Sequence, residues 1–218
     1  MDTATSHLEQ LARRHPALAS LRGVLSEAVA AICHSVRQGG KLLVCGNGGS
    51  AADAEHIVGE LMKSFVLDRK LSATEQTRMA ESMPDDNGRW VLSQLQRGVP
   101  AIALGAHSAL LTAICNDTDA RMIFAQPVYV LGRPGDVLLA LSTSGNSPNI
   151  VAALQVARAR GLVTIGFTGE RPAAMDAWCD VLLKVPAVGA WTVQEYHLPL
   201  YHALCLIVEN ELFGATAT

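Results

Sequence analysis

The sequence predicts an α/β protein: one parallel sheet of about five strands, covered by helices on both faces. Three observations predict it. Short apolar runs alternate with segments of helical period along most of the chain, which implies right-handed βαβ crossovers. Runs such as Lys41-Leu-Leu-Val-Cys45 are apolar on both faces, as a buried parallel strand requires. Half of the 218 residues are hydrophobic, with 18 glycines and 5% aromatics, a mixture suited to tight turns and closely packed helices.

The elements follow in order. Leu8 and Leu11 mark one short helix, and Leu18, Leu21, Leu25, Val29, Ile32 and Val36 continue at helical spacing. His15-Pro16 breaks the two, because proline disfavours helix at the residue before it. Gly39-Gly40 ends the second helix. A strand over 41–45 leads into Gly46-Asn47-Gly48-Gly49-Ser50 and a helix over 51–65. The alternation then resumes: strand 101–104, helix 108–115, strand 136–141, helix 148–160, strand 163–167, a short helix over 173–178 and strand 181–185. A long helix over 194–213 closes the chain, with Pro199 expected in or near its first turn, where proline is tolerated. Two parts result: N-terminal helices over 1–40 that pack on the domain and on partner subunits, and a domain over 41–218. The stretch 66–98 falls outside the rhythm; it carries ten charged residues and a Pro84-Asp-Asp-Asn-Gly88 turn and is expected to form a helical excursion.

Composition excludes several classes. A formal net charge of -3 gives no basic footprint for nucleic acid and no polybasic membrane patch. The mixed charges of residues 1–16 do not resemble a signal peptide, and no run approaches about 18 uninterrupted apolar residues, so no membrane span is expected. Five scattered cysteines without a CxxC pair read as free thiols of a reducing, cytoplasmic compartment.

Two loops follow strands and open helices. In Gly46–Ser50, glycines permit close approach of a ligand to backbone N–H groups at a helix N-terminus; the plainer alternative is a tight βα turn. The spacing matches neither GxGxxG nor a P-loop, so a nucleotide is not indicated. The second loop, Ser142-Thr143-Ser144-Gly145-Asn146-Ser147-Pro148, sets four hydroxyls at a helix N-terminus, as a phosphate monoester would use. Pro148 fits the first helical position, making Ser147 the N-cap; ordinary capping is the competing reading. With no basic residue in the loop, hydroxyls, N–H groups and the helix dipole would hold the anion. His56 and Glu60 share one helical face, either as a surface pair or as part of a site. Gln194 and His202, about 80° apart around the last helix, can reach one region, although a core-facing histidine is as readily structural. His34 and His107 read as packing or surface residues. Ligands of parallel sheets sit beyond the carboxyl ends of the strands, where both loops belong. A phosphate cradle beside a carboxylate and an imidazole suits aldose–ketose isomerisation, which needs a proton carrier between C1 and C2 and an acid for the carbonyl oxygen.

The run Cys45-Gly-Asn-Gly-Gly-Ser-Ala-Ala-Asp-Ala-Glu-His-Ile-Val-Gly-Glu60 resembles the motif of the phosphoheptose isomerases of the SIS family. So do Leu111-Thr-Ala-Ile-Cys-Asn-Asp117, Gly135-Asp-Val-Leu-Leu-Ala-Leu-Ser-Thr-Ser-Gly-Asn-Ser147 and Val193-Gln-Glu-Tyr-His197 with His202, over nearly the whole chain. The resemblance implies a flavodoxin-like SIS fold and conversion of sedoheptulose 7-phosphate to D-glycero-D-manno-heptose 7-phosphate, an early step toward the heptoses of lipopolysaccharide or other glycans. By position it implies Glu60 as the proton carrier and His202 as its acid/base partner. It implies a sugar pocket of Asn47, Gly48, Gly49, Ser50, Asn116, Asp117 and Gln194, and a phosphate site of Ser142, Thr143, Ser144 and Ser147. It further implies a zinc ion on His56, Glu60, Gln194 and His202, and a homotetramer with sites between subunits.

Two departures from the family pattern stand out: the long stretch 66–98, and Asp117-Thr-Asp-Ala120 in place of an aromatic-containing turn. The same fold also suits a non-catalytic phosphosugar sensor or a DnaA-associating regulator, or an isomerase of another ketose phosphate. Retention of Glu60 and His202 favours an enzyme.

Overall fold

The computed structural model describes residues 3–214. The elements run α1 (Thr3–Arg14), α2 (Arg22–Arg37), β1 (Leu42–Gly46), α3 (Gly49–Met62), α4 (Ala73–Ala80), α5 (Asp86–Gln94), β2 (Ala101–Ala103), α6 (Ser108–Asp117), α7 (Ala125–Leu131), β3 (Val137–Leu141), α8 (Pro148–Ala159), β4 (Val163–Gly169), β5 (Val181–Val185) and α9 (Ala190–Phe213). The strands form one all-parallel sheet in the order β2-β1-β3-β4-β5, with Leu42 beside Val137 and Val137 beside Val163. Every residue of β1 and β3 is buried, which explains their uninterrupted apolar runs. The chain leaves β1 for one edge of the sheet and returns to build toward the other, so the crevice of this flavodoxin-like order lies between the carboxyl ends of β1 and β3.

One face of the sheet is covered by α1, α2, α3 and α9, whose Leu11, Leu25, Ile32, Ile57 and Leu204 share a core with Leu42, Leu139 and Phe167. The other face is covered by α7 and α8, through Val128, Ile150 and Leu154 against Leu43, Leu138 and Ala140. The helices before residue 40 thus share the core of the sheet. The run Pro16–Arg37 is long and apolar enough, by composition, to cross a membrane. Here its Leu18, Leu25, Ala28 and Ile32 are fully buried in the protein core, as in a packing helix.

Three elements depart from the sequence pattern. Helix α9 begins at Ala190, so Pro199 falls inside it and not in its first turn. Proline there leaves the Glu195 carbonyl without its helical donor, a cost of about 3 kcal/mol in an isolated helix. Burial of Val193, Leu200, Tyr201, Leu204 and Val208 offsets it. Helix α3 stops at Met62, ahead of the expected 65, and the next backbone N–H groups are taken by side chains. Glu209 accepts from Phe65, Val66 and Leu67 at 2.8–3.1 Å, and Gln96 accepts from Ser64 at 2.8 Å. Helix α7, with seven residues, is too short to show two apolar periods and the sequence does not reveal it. The stretch 66–98 is helical as expected: Ser72 and Glu75 form a capping box for α4, and Asp85 caps α5.

A buried ion pair fastens this excursion to the helices beside it. Arg69 Nε lies 2.8 Å from Glu209 Oε1, with both side chains essentially inaccessible. Its other nitrogens donate to the Leu61 and Glu60 carbonyls at 2.8 and 2.7 Å, closing the C-terminus of α3.

Candidate active site

The two loops after β1 and β3 lie side by side across the crevice and are joined. Asn47 and Asn149 exchange amide hydrogen bonds of 2.9 and 2.8 Å. Gly48 has φ +56°, a conformation that favours glycine, and Gly49 opens α3 beneath the Gln194 amide. A Cβ on Gly49 would come within 1.9 Å of Gln194 Nε2, so this glycine admits the side chain of α9. Ser50 is buried at the first turn of α3.

In the serine loop, Ser142 is buried and its hydroxyl accepts from Gly145 N at 3.1 Å. The Ser142 and Ser147 hydroxyls stand 3.2 Å apart, and Gly145 adopts φ +65° in contact distance of Ala173. Ser147 occupies the N-cap position of α8, but its hydroxyl makes no capping hydrogen bond. Instead Asn149 Oδ1 accepts from Ile150 N at 3.0 Å. The expected cap therefore holds in backbone position and not in side-chain chemistry, and the hydroxyl is turned inward on the loop.

A second cluster lies further along α3. His56 Nε2 is 3.1 Å from Glu60 Oε1, and Lys63 Nζ is 3.4 Å from Glu60 Oε2. Tyr201 Oη meets His56 Nδ1 at 2.9 Å and donates to Asp53 Oδ1 at 3.4 Å. His202 packs edge-on against His56 with ring centroids 5.1 Å apart, and Phe65 closes its other side at 5.9 Å. Burial, then the neighbouring His56, pull the His202 imidazole below its ordinary pKa, Glu60 opposing. Burial pushes Asp53 up, with Tyr201 opposing.

His56, Glu60, Gln194 and His202 are the four side chains expected to hold zinc. Two imidazoles and a carboxylate are suitable ligands, and a tyrosine hydroxyl holding His56 by its other nitrogen is the kind of contact that orients a ligating histidine. Among the described residues, however, no three His, Cys, Asp or Glu side chains already converge as a metal cage. Gln194 turns its amide to Gly49.

The remaining candidates sit apart. Asn116 and Asp117 end α6, both exposed, the amide donating to the carboxylate at 2.8 Å. Among the described residues neither bonds to the glycine or serine loop. Eleven residues of α3 separate Gly49 from Glu60, about 16 Å at the helical rise. Within one chain the two loops lie at the start of α3 and His56 and Glu60 two to three turns further along it, with Gln194, Asp53 and Tyr201 in contact between them. Asn149 and Tyr201 join these clusters without having been singled out in the sequence. A polar residue directly after Ser-Pro was the available signal for Asn149; Tyr201 offered none, being one more apolar-period position of a long helix.

Comparison with known proteins agrees with this architecture. A match to the SIS domain covers residues 7–84 and 92–169. The phosphoheptose isomerase of Burkholderia pseudomallei is 42% identical over 197 residues, 90% of this chain and 84% of that protein. That of Desulfovibrio desulfuricans is 37% identical over all of this chain and 91% of its own length. Among solved structures, the phosphoheptose isomerase of Neisseria gonorrhoeae superposes with a TM-score of 0.71 at 31% identity, covering 94% of this chain and 96% of that one. That of Francisella tularensis gives 0.74 at 29% identity, covering 96% and 97%. With these relatives matching over nine-tenths or more of this chain, it belongs to the phosphoheptose isomerase family of SIS-domain proteins.

Proposed function

We propose that the protein is a sugar-phosphate isomerase that converts sedoheptulose 7-phosphate to D-glycero-D-manno-heptose 7-phosphate. One observation carries the reading. Two ligand-type loops are locked together across the switch point of the sheet by Asn47 and Asn149, with inward hydroxyls at Ser142 and Ser147. Ser142, Thr143, Ser144 and Ser147 hold the phosphate at the N-terminus of α8. Asn47, Gly48, Gly49, Ser50 and Gln194 line the sugar, and Asn116 and Asp117, at the end of α6, would join them.

The Glu60 carboxylate removes a proton from C1 of the ketose, leaving an enediolate, and returns it to C2 of the aldose. His202, neutral near pH 7 because its pKa is lowered, moves the proton between O1 and O2. In a homotetramer with sites between subunits, Glu60 and His202 of a second copy would complete the loops. Trp191, 71% exposed, and Leu198 on one face of α9 supply apolar surface for such a contact. His56, Glu60, Gln194 and His202 are the residues that would hold zinc. The ion would supply positive charge beside the sugar oxygens. Five free thiols agree with a cytoplasmic protein, and the product would serve heptose incorporation into lipopolysaccharide or another glycan.

The test is a panel of ketose phosphates of five to seven carbons, scored for aldose product with and without a chelator. Turnover of the seven-carbon substrate, lost in Glu60→Gln while the phosphosugar still binds, is expected. Absence of any aldose from the panel overturns the assignment.

A further inference from the structure

We propose that Arg171 is the charge partner of the substrate's phosphoryl group, a residue outside the serine loop that selects phosphorylated sugars. The proposal rests on the sugar-phosphate reading above. A cavity of about 250 Å³ opens between the loops that follow β3, β4 and β5. Thr143 and Ser144 of the serine loop line it together with Arg171 and Pro172 of the loop after β4. Arg171 is the one charged residue among those lining it.

The loop bearing Arg171 is fixed to the serine loop. Met175 N donates to Gly145 O at 3.0 Å and Ala174 N to Asn146 Oδ1 at 2.8 Å. Gly169 lets the three segments close, since a Cβ there would meet Ala187 O at 2.8 Å and Thr143 O at 3.2 Å. Nearby charges are already committed: Lys184 pairs with Asp176 and donates to the Arg171 carbonyl at 3.1 Å. Glu170, next in the chain, does not line the cavity. Among the described residues the Arg171 guanidinium has no hydrogen-bond or ion-pair partner, as is true of the exposed Arg13, Arg14, Arg78 and Arg133, but of these Arg171 is the one that lines this cavity.

Charge balance calls for such a group. A phosphate monoester carries about -1.5 to -2 near neutral pH. Hydroxyls and N–H groups add no net charge, and the whole chain is at -3. A guanidinium matches phosphate oxygens with paired N–H donors, and its low desolvation cost suits the rim of a cavity.

Arg171 is exposed, so its variants keep the fold. In Arg171→Ala, KM for sedoheptulose 7-phosphate should rise roughly 10- to 100-fold with kcat within about twofold. Arg171→Lys, which keeps the charge but not the paired donors, should recover part of that loss. Titration calorimetry with inorganic phosphate on the same proteins should show the same ranking of affinity. An unchanged KM and phosphate affinity in Arg171→Ala, or a fall confined to kcat, overturns the proposal. If no ketose phosphate is isomerised but phosphate affinity still depends on Arg171, the isomerase reading fails and this one stands.

Discussion

The two rims of the sheet use polar residues in opposite ways. At the amino-terminal rim Asp136 is 2% exposed and both carboxylate oxygens are occupied. Oδ1 accepts from Lys41 N and Oδ2 from Arg133 N, each at 2.9 Å, and the Lys41 ammonium joins them. Ser35 beside it donates to Gly135 O at 2.6 Å. At the carboxyl-terminal rim, by contrast, Ser147 withholds its hydroxyl from the helix it begins, and Arg171 faces a cavity without an acid. Saturated polar groups secure the fold, because an unmet buried donor or acceptor costs about 1–3 kcal/mol. Groups left short of partners at a rim of the sheet are available to a ligand. The buried Arg69–Glu209 pair belongs with the saturated kind, although it stands just behind the helix that bears Glu60.

Removing one member of a saturated set should produce the largest change. Arg69→Met leaves the Glu209 carboxylate buried without its countercharge, held only by the N–H groups of Phe65, Val66 and Leu67, and urea melts should show a loss of about 3–5 kcal/mol. A single variant within about 1 kcal/mol of the parent would break the distinction.

Glu60→Gln tests the opposite kind of residue. Turnover should fall by roughly 10²- to 10⁴-fold, with the unfolding midpoint preserved because the 16%-exposed side chain is replaced by an isostere. A variant with parental kcat would remove Glu60 from the chemistry.

His197 sharpens the comparison from within the core. It is fully buried against Phe167, neither ring nitrogen has a partner of good geometry, and burial pulls its pKa from 6.5 down to about 4, the Thr168 backbone opposing. The unfolded chain therefore binds a proton between those values that the folded chain refuses. Its contribution to stability is present above pH 6.5 and falls as pH drops toward 4, by roughly 3 kcal/mol in total. His197→Leu should flatten that part of the stability–pH curve; an identical slope would show that other groups set it.

The smallest effect is expected at Ser147. A capping serine replaced by alanine costs about 1 kcal/mol of stability. Here Ser147→Ala should leave thermal stability unchanged and raise KM for the phosphosugar a few-fold, at about 1 kcal/mol per lost hydrogen bond. A lowered melting temperature with unchanged KM would return Ser147 to ordinary capping.

Much of this was legible in the sequence because it is local. The apolar runs of β1, β3 and β5, the breaks at Pro16 and Gly39, and the glycine and serine loops at strand ends depend on a few neighbouring residues. Tertiary packing overrode local preference where many contacts outweighed one residue. Burial of α9 carried it through Pro199, and Glu209, over 140 residues downstream, captured the N–H groups that end α3. Residue types alone could place His56 beside Glu60, four apart on one helix. They could not pair Asn47 with Asn149, Tyr201 with His56, or Arg171 with the serine loop, because those meetings depend on strand order and on how α9 crosses the sheet. Chemistry written within one helical turn or one loop is set by the chain itself; chemistry shared between distant segments exists only once the sheet has brought them together.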